Sequence, residues 1–232
     1  MKRFWDQAAC VEQEGGFTVL LDGRPMRLPG GGKLHAGTRA LGEALAEEWQ
    51  AAGGKKGGEM TWDELPLTRL TGTAAERIAP APEATIAAIA KYAETELLCY
   101  RAVDEALAAR QAEAWDPWLD WAARELDVEL ATTIGIMPIP QDEGAMASVH
   151  HAVAQLSPVG LSALGVLVPA LGSLVLGMAV QRGALTSEQA HRLSILDELY
   201  QEERWGLDWE AEDRRHKVAA DLAVAARLAA LA

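Results

Sequence analysis

The rhythm of apolar and polar positions changes once along the chain. Phe17-Thr18-Val19-Leu20-Leu21 is a short apolar and β-branched run. It is followed by Asp22-Gly23, a dipeptide that accepts positive φ at both central positions of a type I′ turn. Arg24-Pro25-Met26-Arg27-Leu28 then returns as the partner strand. Pro25 has no N–H for a ladder, so this strand is placed at an edge. Pro29 to Lys33, rich in glycine, reads as a loop. From about Thr38 to Ala52 the spacing turns helical, with Leu41, Leu45 and Trp49 recurring every four residues. Gly53-Gly54 offers the left-handed residue that ends such a helix. The run Gly53 to Gly58, with Lys55 and Lys56 inside it, reads as the most flexible piece of the chain and as a mobile loop or subdomain border.

Beyond that run the pattern is almost wholly helical. Ile86, Ile89, Ala93 and Leu97 share one stripe. Asp116-Pro117 reads as a helix start, since Asp accepts from free amides and Pro suits the first helical position. Trp118, Leu119 and Trp121 then cluster at its beginning. Pro138 and Pro140 mark a loop, and a helix covers about Ala145 to Leu156. Val159 to Val180 carries no charge and approaches a membrane-spanning length. Pro169 interrupts it, four glycines dilute it and no basic cluster flanks it, so it reads as a buried hairpin or bent central helix. Thr186-Ser187-Glu188-Gln189 fits a capping box and opens a helix of about twenty residues that Gly206 closes. A last helix runs from about Asp208 to the end, with Val218, Leu222, Ala225 and Ala229 inward. The fold class is therefore α+β: a small N-terminal antiparallel β-rich domain with one helix over residues 1–60, followed by a larger multi-helical domain over residues 61–232.

Composition narrows the function. The chain has 232 residues, half of them apolar, enough for a sizeable core. A net charge of −13 repels phosphate backbones and anionic membrane surfaces, so neither nucleic-acid binding nor membrane insertion is expected. Two cysteines, Cys10 and Cys99, make no disulfide framework and show no metal-ligand spacing. The opening Met1-Lys2-Arg3-Phe4-Trp5-Asp6 has neither an apolar signal core nor an Arg/Ser-rich amphipathic presequence, which points to the cytoplasm.

Candidate chemistry is sparse. The glycine–lysine runs Gly30 to Lys33 and Gly53 to Lys56 lack the spacing of a phosphate-binding loop. Metal binding is the sharper alternative. Glu188 with His191, and Asp213 with His216, each place a carboxylate and an imidazole on one helical face, as in di-metal carboxylate enzymes. Against it, Glu188 sits in the capping box and the second pair lies in a heavily charged stretch. His150-His151 reads as a surface pair, and Cys10 has no identifiable base. No cofactor and no catalytic residue is expected. The informative constellation lies before Gly206. Leu193, Leu196 and Tyr200 make an inward stripe. Glu198, Gln201, Glu202 and Trp205, at steps of three and four, share the opposite face. An aromatic with carboxylates and an amide on an outward face is the composition of a protein-interface anchor. The other reading is that Trp205 folds under the last helix and the acids are simply solvated. Eight tryptophans against two phenylalanines argue that some indoles lie half-exposed.

Taken in order, these segments resemble the F1-ATPase assembly chaperones that act on the alpha subunit, the second mitochondrial F1 complex assembly factor. The likeness is carried by Arg3-Phe4-Trp5, the Leu21-Asp22-Gly23-Arg24-Pro25 turn and Leu45 to Trp49. It continues through Leu65-Pro66-Leu67-Thr68, Glu94 to Arg101, Gln111 with Trp115-Asp116-Pro117, Thr133 to Ile136, and Glu198 to Gly206. Glu96 departs by standing where an aspartate is expected, and the first loop is longer in glycine. The resemblance implies a chaperone that holds the unassembled alpha subunit of F1-ATPase and promotes F1 assembly. It implies a partner-binding role for Glu198 or Glu202 and a bacterial relative of the mitochondrial proteins. The chain is read as a monomer, and no nucleotide use is expected.

Overall fold

Asp22 (φ 47°) and Gly23 (φ 78°) both take the left-handed conformation and set the N-terminal sheet. The computed structural model describes residues 1–13 and 15–232. Strand β1 covers Ala8–Gln13 and β2 covers Gly16–Leu21. Across the Asp22-Gly23 turn, β3 (Arg24–Pro25) pairs antiparallel with β2, Leu20 opposite Pro25, at the edge expected for proline. β2 is the central strand. β1 lies along its other side, with Ala8 opposite Leu21, and β4 (His35–Ala36) pairs with the start of β2. β1 has only weak alternation and half-buried side chains, so its pattern carries no clear period of two.

The chain divides into two compact units. The first comprises Met1–Pro82 with Ser157–Ala163 and Arg227–Ala232; the second comprises Glu83–Leu156 with Leu164–Ala226.

In the first unit, helix α1 (Arg39–Ala51) is capped by Thr38, whose Oγ1 accepts from the Leu41 amide at 3.1 Å. Its buried stripe Leu41, Leu45 and Trp49 faces β1 and β2. Gly42 permits the close approach: a Cβ there would stand 2.7 Å from the Cys10 sulfur. The far end of α1 receives a buried cation. The Arg3 guanidinium donates to the carbonyls of Gln50 (2.7 Å), Ala52 (3.2 Å), Gly54 (3.0 Å), Trp5 (3.1 Å) and Asp6 (3.0 Å). A positive charge at a helix C-terminus is stabilised by the exposed carbonyls and the helix dipole. The Gly53 to Gly58 run closes around the same residue. Arg3 donates its amide to Gly58 O and accepts from Gly57 N, and Glu64 accepts from Gly53 N at 2.9 Å. A Cβ on Gly58 would lie 1.9 Å from Gly53 O. The expected flexible loop is thus a hydrogen-bonded turn, in which glycine supplies close approach.

A polar relay joins α1 to helix α2 (Pro66–Thr73). The Trp5 indole donates to Trp49 O at 3.1 Å, and the Trp49 indole donates to Thr68 Oγ1 at 2.9 Å. The Thr68 hydroxyl donates to Glu48 at 2.6 Å. Glu48 also accepts from the amides of Leu67 (2.7 Å) and Thr68 (2.9 Å), capping α2 from another helix. Pro66, at the first helical position, has no N–H to satisfy. Late segments finish this unit. Ser162 donates to Leu70 O at 2.8 Å, Thr38 donates to Leu231 O, and Arg227 meets Glu47 at 3.7 Å.

The second unit begins with α3, which spans Pro82–Ala90 and buries Ile86 and Ile89. After it the chain tightens, and Glu96 turns inward. β5 (Tyr100–Arg101) pairs parallel with β6 (Thr133–Ile134). Helix α4 (Glu105–Leu126) corrects one expectation: it does not start at Asp116-Pro117. Asp104 caps it, accepting from Leu107 N at 2.9 Å, and Pro117 lies inside on an exposed face. Pro117 costs one backbone bond where water can meet the freed carbonyl, and Asp116 pairs with Arg101 instead of capping. Helix α5 spans Glu143–Ala154. The uncharged stretch forms α6 (Pro158–Leu171) and α7 (Leu174–Gln181), broken at Gly172 (φ 62°) and Ser173. Among the described residues, no helix is long and apolar enough to cross a membrane. A second correction concerns the capping-box helix. Thr186 and Gln189 do form the box, but the helix breaks at Ile195 into α8 (Ser187–Ser194) and α9 (Leu196–Trp205). Ser194 Oγ donates back to His191 O at 2.8 Å, a local bond that competes with helix continuation. The last helix, α10, spans Trp209–Leu231 and buries Leu222, Ala225 and Leu228.

Glu96 is the buried acid of this unit. Its carboxylate accepts from the amides of Leu174 (2.7 Å), Val175 (3.3 Å) and Leu98 (3.3 Å), capping α7. Burial outweighs these bonds and pushes its carboxyl up to about 7.

Two outcomes follow. From below pH 4.5 upward, the unfolded chain loses the Glu96 proton while the folded chain retains it until about pH 7. Stability from this group is therefore full below its unfolded value and is lost as pH rises through the folded one, by up to about 3 kcal/mol. In urea unfolding at several pH values, the wild-type stability minus that of Glu96→Gln will fall across this window; a flat difference would refute the role. Arg3→Met leaves carbonyls at the end of α1 without a donor and will lower unfolding free energy by at least about 3 kcal/mol.

Candidate functional site

The outward face read from the sequence lies where α9 meets α10. Gly206 (φ 93°) ends α9 in a conformation that disfavours other residues. Asp208 opens α10, its carboxylate accepting from the amides of Glu210 (3.0 Å) and Ala211 (3.3 Å). The two caps make an elbow, with Leu207 exposed between them.

The inner face of α9 is tied down by polar bonds. Buried Tyr200 donates its hydroxyl to Asp104 at 2.9 Å, and Arg204 reaches the other Asp104 oxygen at 3.2 Å. Arg204 also lies over the Tyr200 ring, 4.4 Å from its centroid. The bond from the Leu107 amide, followed by that from Tyr200, holds the Asp104 carboxyl below the usual range. Gln111 donates to Asp197 at 2.8 Å and accepts from the Ala102 amide at 2.7 Å. The Trp115 indole, fully buried, donates to Leu193 O at 3.0 Å. Gln111, Asp104 and the Tyr200 and Arg204 side chains thus fix the rotation of α9 about its axis, while Trp115 ties down the end of α8.

The opposite face carries Glu198, Gln201, Glu202 and Trp205 together, as their spacing requires. They line a groove of about 370 Å³ with Asp208, Ala211, Arg214 and Arg215. Arg215 lies between the two glutamates, at 3.3 Å from Glu198 and 2.6 Å from Glu202. Its side chain is only 11 % exposed, so the ion pairs are partly shielded from water. The indole behaves differently. Trp205 is 77 % exposed and does not fold under α10; Trp209, the first residue of the next helix, is 73 % exposed. The elbow therefore offers two aromatic rings and Leu207 to solvent beside a pinned pair of carboxylates. Gln201 is exposed and free to bond outward.

Sequence reasoning missed Arg215, Leu207 and Trp209. The signal for Trp209 was its four-residue distance from Trp205 across Gly206, which reads as a shared surface only once the helix is known to stop there. Arg215 is distant in sequence and lay in a charged run that looked solvated. The residues of the metal reading are not gathered. Glu188, Asp213 and His216 are exposed, and His191 turns a buried Nε2 that lacks a protein partner. Burial, followed by the nearby Arg215 charge, holds His191 below its ordinary value. Among the described residues no group of three or more His, Cys, Asp or Glu side chains is placed to hold a metal ion. His150 and His151 lie on the surface, and burial raises the Cys10 thiol.

Comparison with known proteins places this architecture. Residues 2–123 match the family model described as ATP12 chaperone protein. The chain is 26 % identical over 235 residues to the mitochondrial protein atp12 of Schizosaccharomyces pombe, covering 94 % of this chain and 80 % of that one. It superposes on the crystal structure of Atp12 from Paracoccus denitrificans with a TM-score of 0.93, at 44 % identity over 99 % of this chain and 97 % of the other. A Paracoccus variant carrying lysine in place of one aspartate gives a TM-score of 0.94 at the same identity and coverage. On the family match over more than half its length and this likeness to the Paracoccus protein, the chain belongs to the ATP12 chaperone family.

Proposed function

We propose that the chain binds the unassembled alpha subunit of F1-ATPase and promotes assembly of the F1 sector, acting as a monomer in the cytoplasm. The observation that carries this reading is the exposure of the Trp205 and Trp209 indoles at a rigid elbow, beside Glu198 and Glu202. A ring-forming subunit without its neighbours exposes apolar surface that self-associates. Exposed aromatic anchors can cover such a surface, and their removal after binding costs little because the elbow needs no refolding. Arg215 sets the geometry of the two carboxylates before the client arrives, which reduces the ordering cost of docking. Gln201 adds an adaptable hydrogen-bonding group on the same face. The unpaired edges of Glu198 and Glu202 favour a client with a basic contact residue.

Family membership supports a chaperone. The alpha subunit as client, and Glu198, Gln201, Glu202 and Trp205 as the contact residues, are the parts to be tested. In a pull-down with separately purified alpha and beta subunits, the wild-type protein will retain alpha in preference to beta. Trp205→Ala will weaken retention about tenfold or more, the effect of deleting an interface anchor. Glu198→Lys and Glu202→Lys will do likewise, each placing a second cation against Arg215 and against the client. Circular dichroism melts will show the Trp205→Ala fold unchanged, since that ring packs against little. Full retention of alpha by all three variants, or equal retention of beta, would overturn the reading.

A further inference from the structure

The first unit carries an aromatic groove that the α9–α10 elbow does not use. It has a volume of about 440 Å³, within the range of ligand and peptide clefts. Its floor is Trp5, Met26 and Trp49, all buried, and its wall includes Phe4, 65 % exposed, and the partly exposed Trp62. Phe4 stands edge-on to Trp5, with ring centroids 5.0 Å apart. The floor is rigid because the Trp5 and Trp49 indoles are both hydrogen-bonded and Arg3 anchors the segment between them. The cleft is therefore preformed.

Its charge is opposite to that of the protein. Lys2, Arg24 and Arg27 line it, and no carboxylate does. None of the three makes an ion pair among the described residues; Arg27 donates to the Gly31 carbonyl at 2.9 Å. Nearby Lys56, by contrast, is paired with Asp6 at 2.6 Å. In a chain of net charge −13, three unpaired cations around exposed aromatic surface form a local field that attracts anions. Past the Trp62 indole lies a second depression of about 360 Å³, lined by Glu76 as well as Arg69 and Arg77, so the carboxylate-free stretch ends at that ring.

We propose that this groove is a second docking site, for a short acidic protein segment whose carboxylates meet Lys2, Arg24 and Arg27 while an aromatic or large aliphatic side chain enters beside Phe4 and Trp62. A long polyanion fits less well, because beyond the groove it meets the acidic remainder of the surface. A short segment brings only a few charges, all within reach of the cations.

The test uses the full chain and a fluorescently labelled peptide, Asp-Phe-Glu-Leu-Asp-Phe-Glu, followed by anisotropy. Saturable binding is expected with a Kd below about 1 mM, weakening as salt is raised. Arg24→Glu with Arg27→Glu, and separately Phe4→Ser, will weaken it about tenfold. All three side chains are exposed, so melting temperatures will hold. Trp205→Ala will leave it unchanged, which separates this site from the elbow whatever the outcome with the alpha subunit. The proposal is overturned if the peptide fails to bind, if the variants bind equally well, or if a peptide with lysines in place of the acids binds as tightly. Stronger binding of single-stranded oligothymidylate would assign the groove to nucleic acid instead. A concentration-dependent dimer lost in the charge-reversal variant would assign it to a second copy of this chain.

Discussion

An ionisable group taken out of water must be met by an equivalent set of dipoles, and each unit holds one such group at a helix end. Arg3 lies buried among backbone carbonyls at the end of α1, and Glu96 lies buried among backbone amides at the start of α7. Among the described residues neither has a side-chain counter-ion. In each case a helix end supplies the facing partial charge, and in return the side chain satisfies groups that the helix leaves open. The arrangement is directional. Arg3 can reach its carbonyls only if the N-terminal segment, the Gly53 to Gly58 turn and α1 are all in place. Glu96 can reach its amides only if the chain breaks at Gly172 and restarts at Leu174. Substituting hydrophobic contacts for these bonds would leave the same elements free to slide.

The same economy of polar bonds explains why α9 presents a defined outer face. Its inner side is held at Asp197, Tyr200 and Arg204 by groups from the region around α4. With rotation fixed, the residues at steps of three and four on the far side point outward as a set. Arg215 then restrains two of them, while the break at Gly206 leaves Trp205 without a covering neighbour. Rigid support below and an unpacked aromatic above are the two requirements of an interface anchor, and here they come from residues only a turn apart.

Much of this was legible in the chain. The Asp22-Gly23 turn, the α1 stripe, the division of the uncharged stretch and the grouping of Glu198, Gln201, Glu202 and Trp205 all rest on short-range periodicity or backbone preference. What failed depended on distant partners. Asp116-Pro117 has the chemistry of a helix start, yet Asp104 already caps α4 and Arg101 claims Asp116. The glycine run looked loose because its sequence does not reveal that Arg3 and Glu64 will bond it. The pairing of Glu198 and Glu202 with Arg215 spans a helix break that no periodicity announces. Glu96 stood out only as an unusual acid in a motif; its role as a cap for α7 requires knowing where that helix begins.

The membership of the first unit has a consequence for the order of events during synthesis. Helix α1 and its sheet are encoded at the start of the chain, but Thr38 and Glu47 find their partners in Leu231 and Arg227, and Leu70 finds its partner in Ser162. A nascent chain leaving the ribosome therefore carries an early domain whose surface is unfinished until residues 227–231 have emerged. For the whole of that interval the early sheet and helix keep open the positions that the late segments will fill, the state in which unfinished chains are most prone to associate.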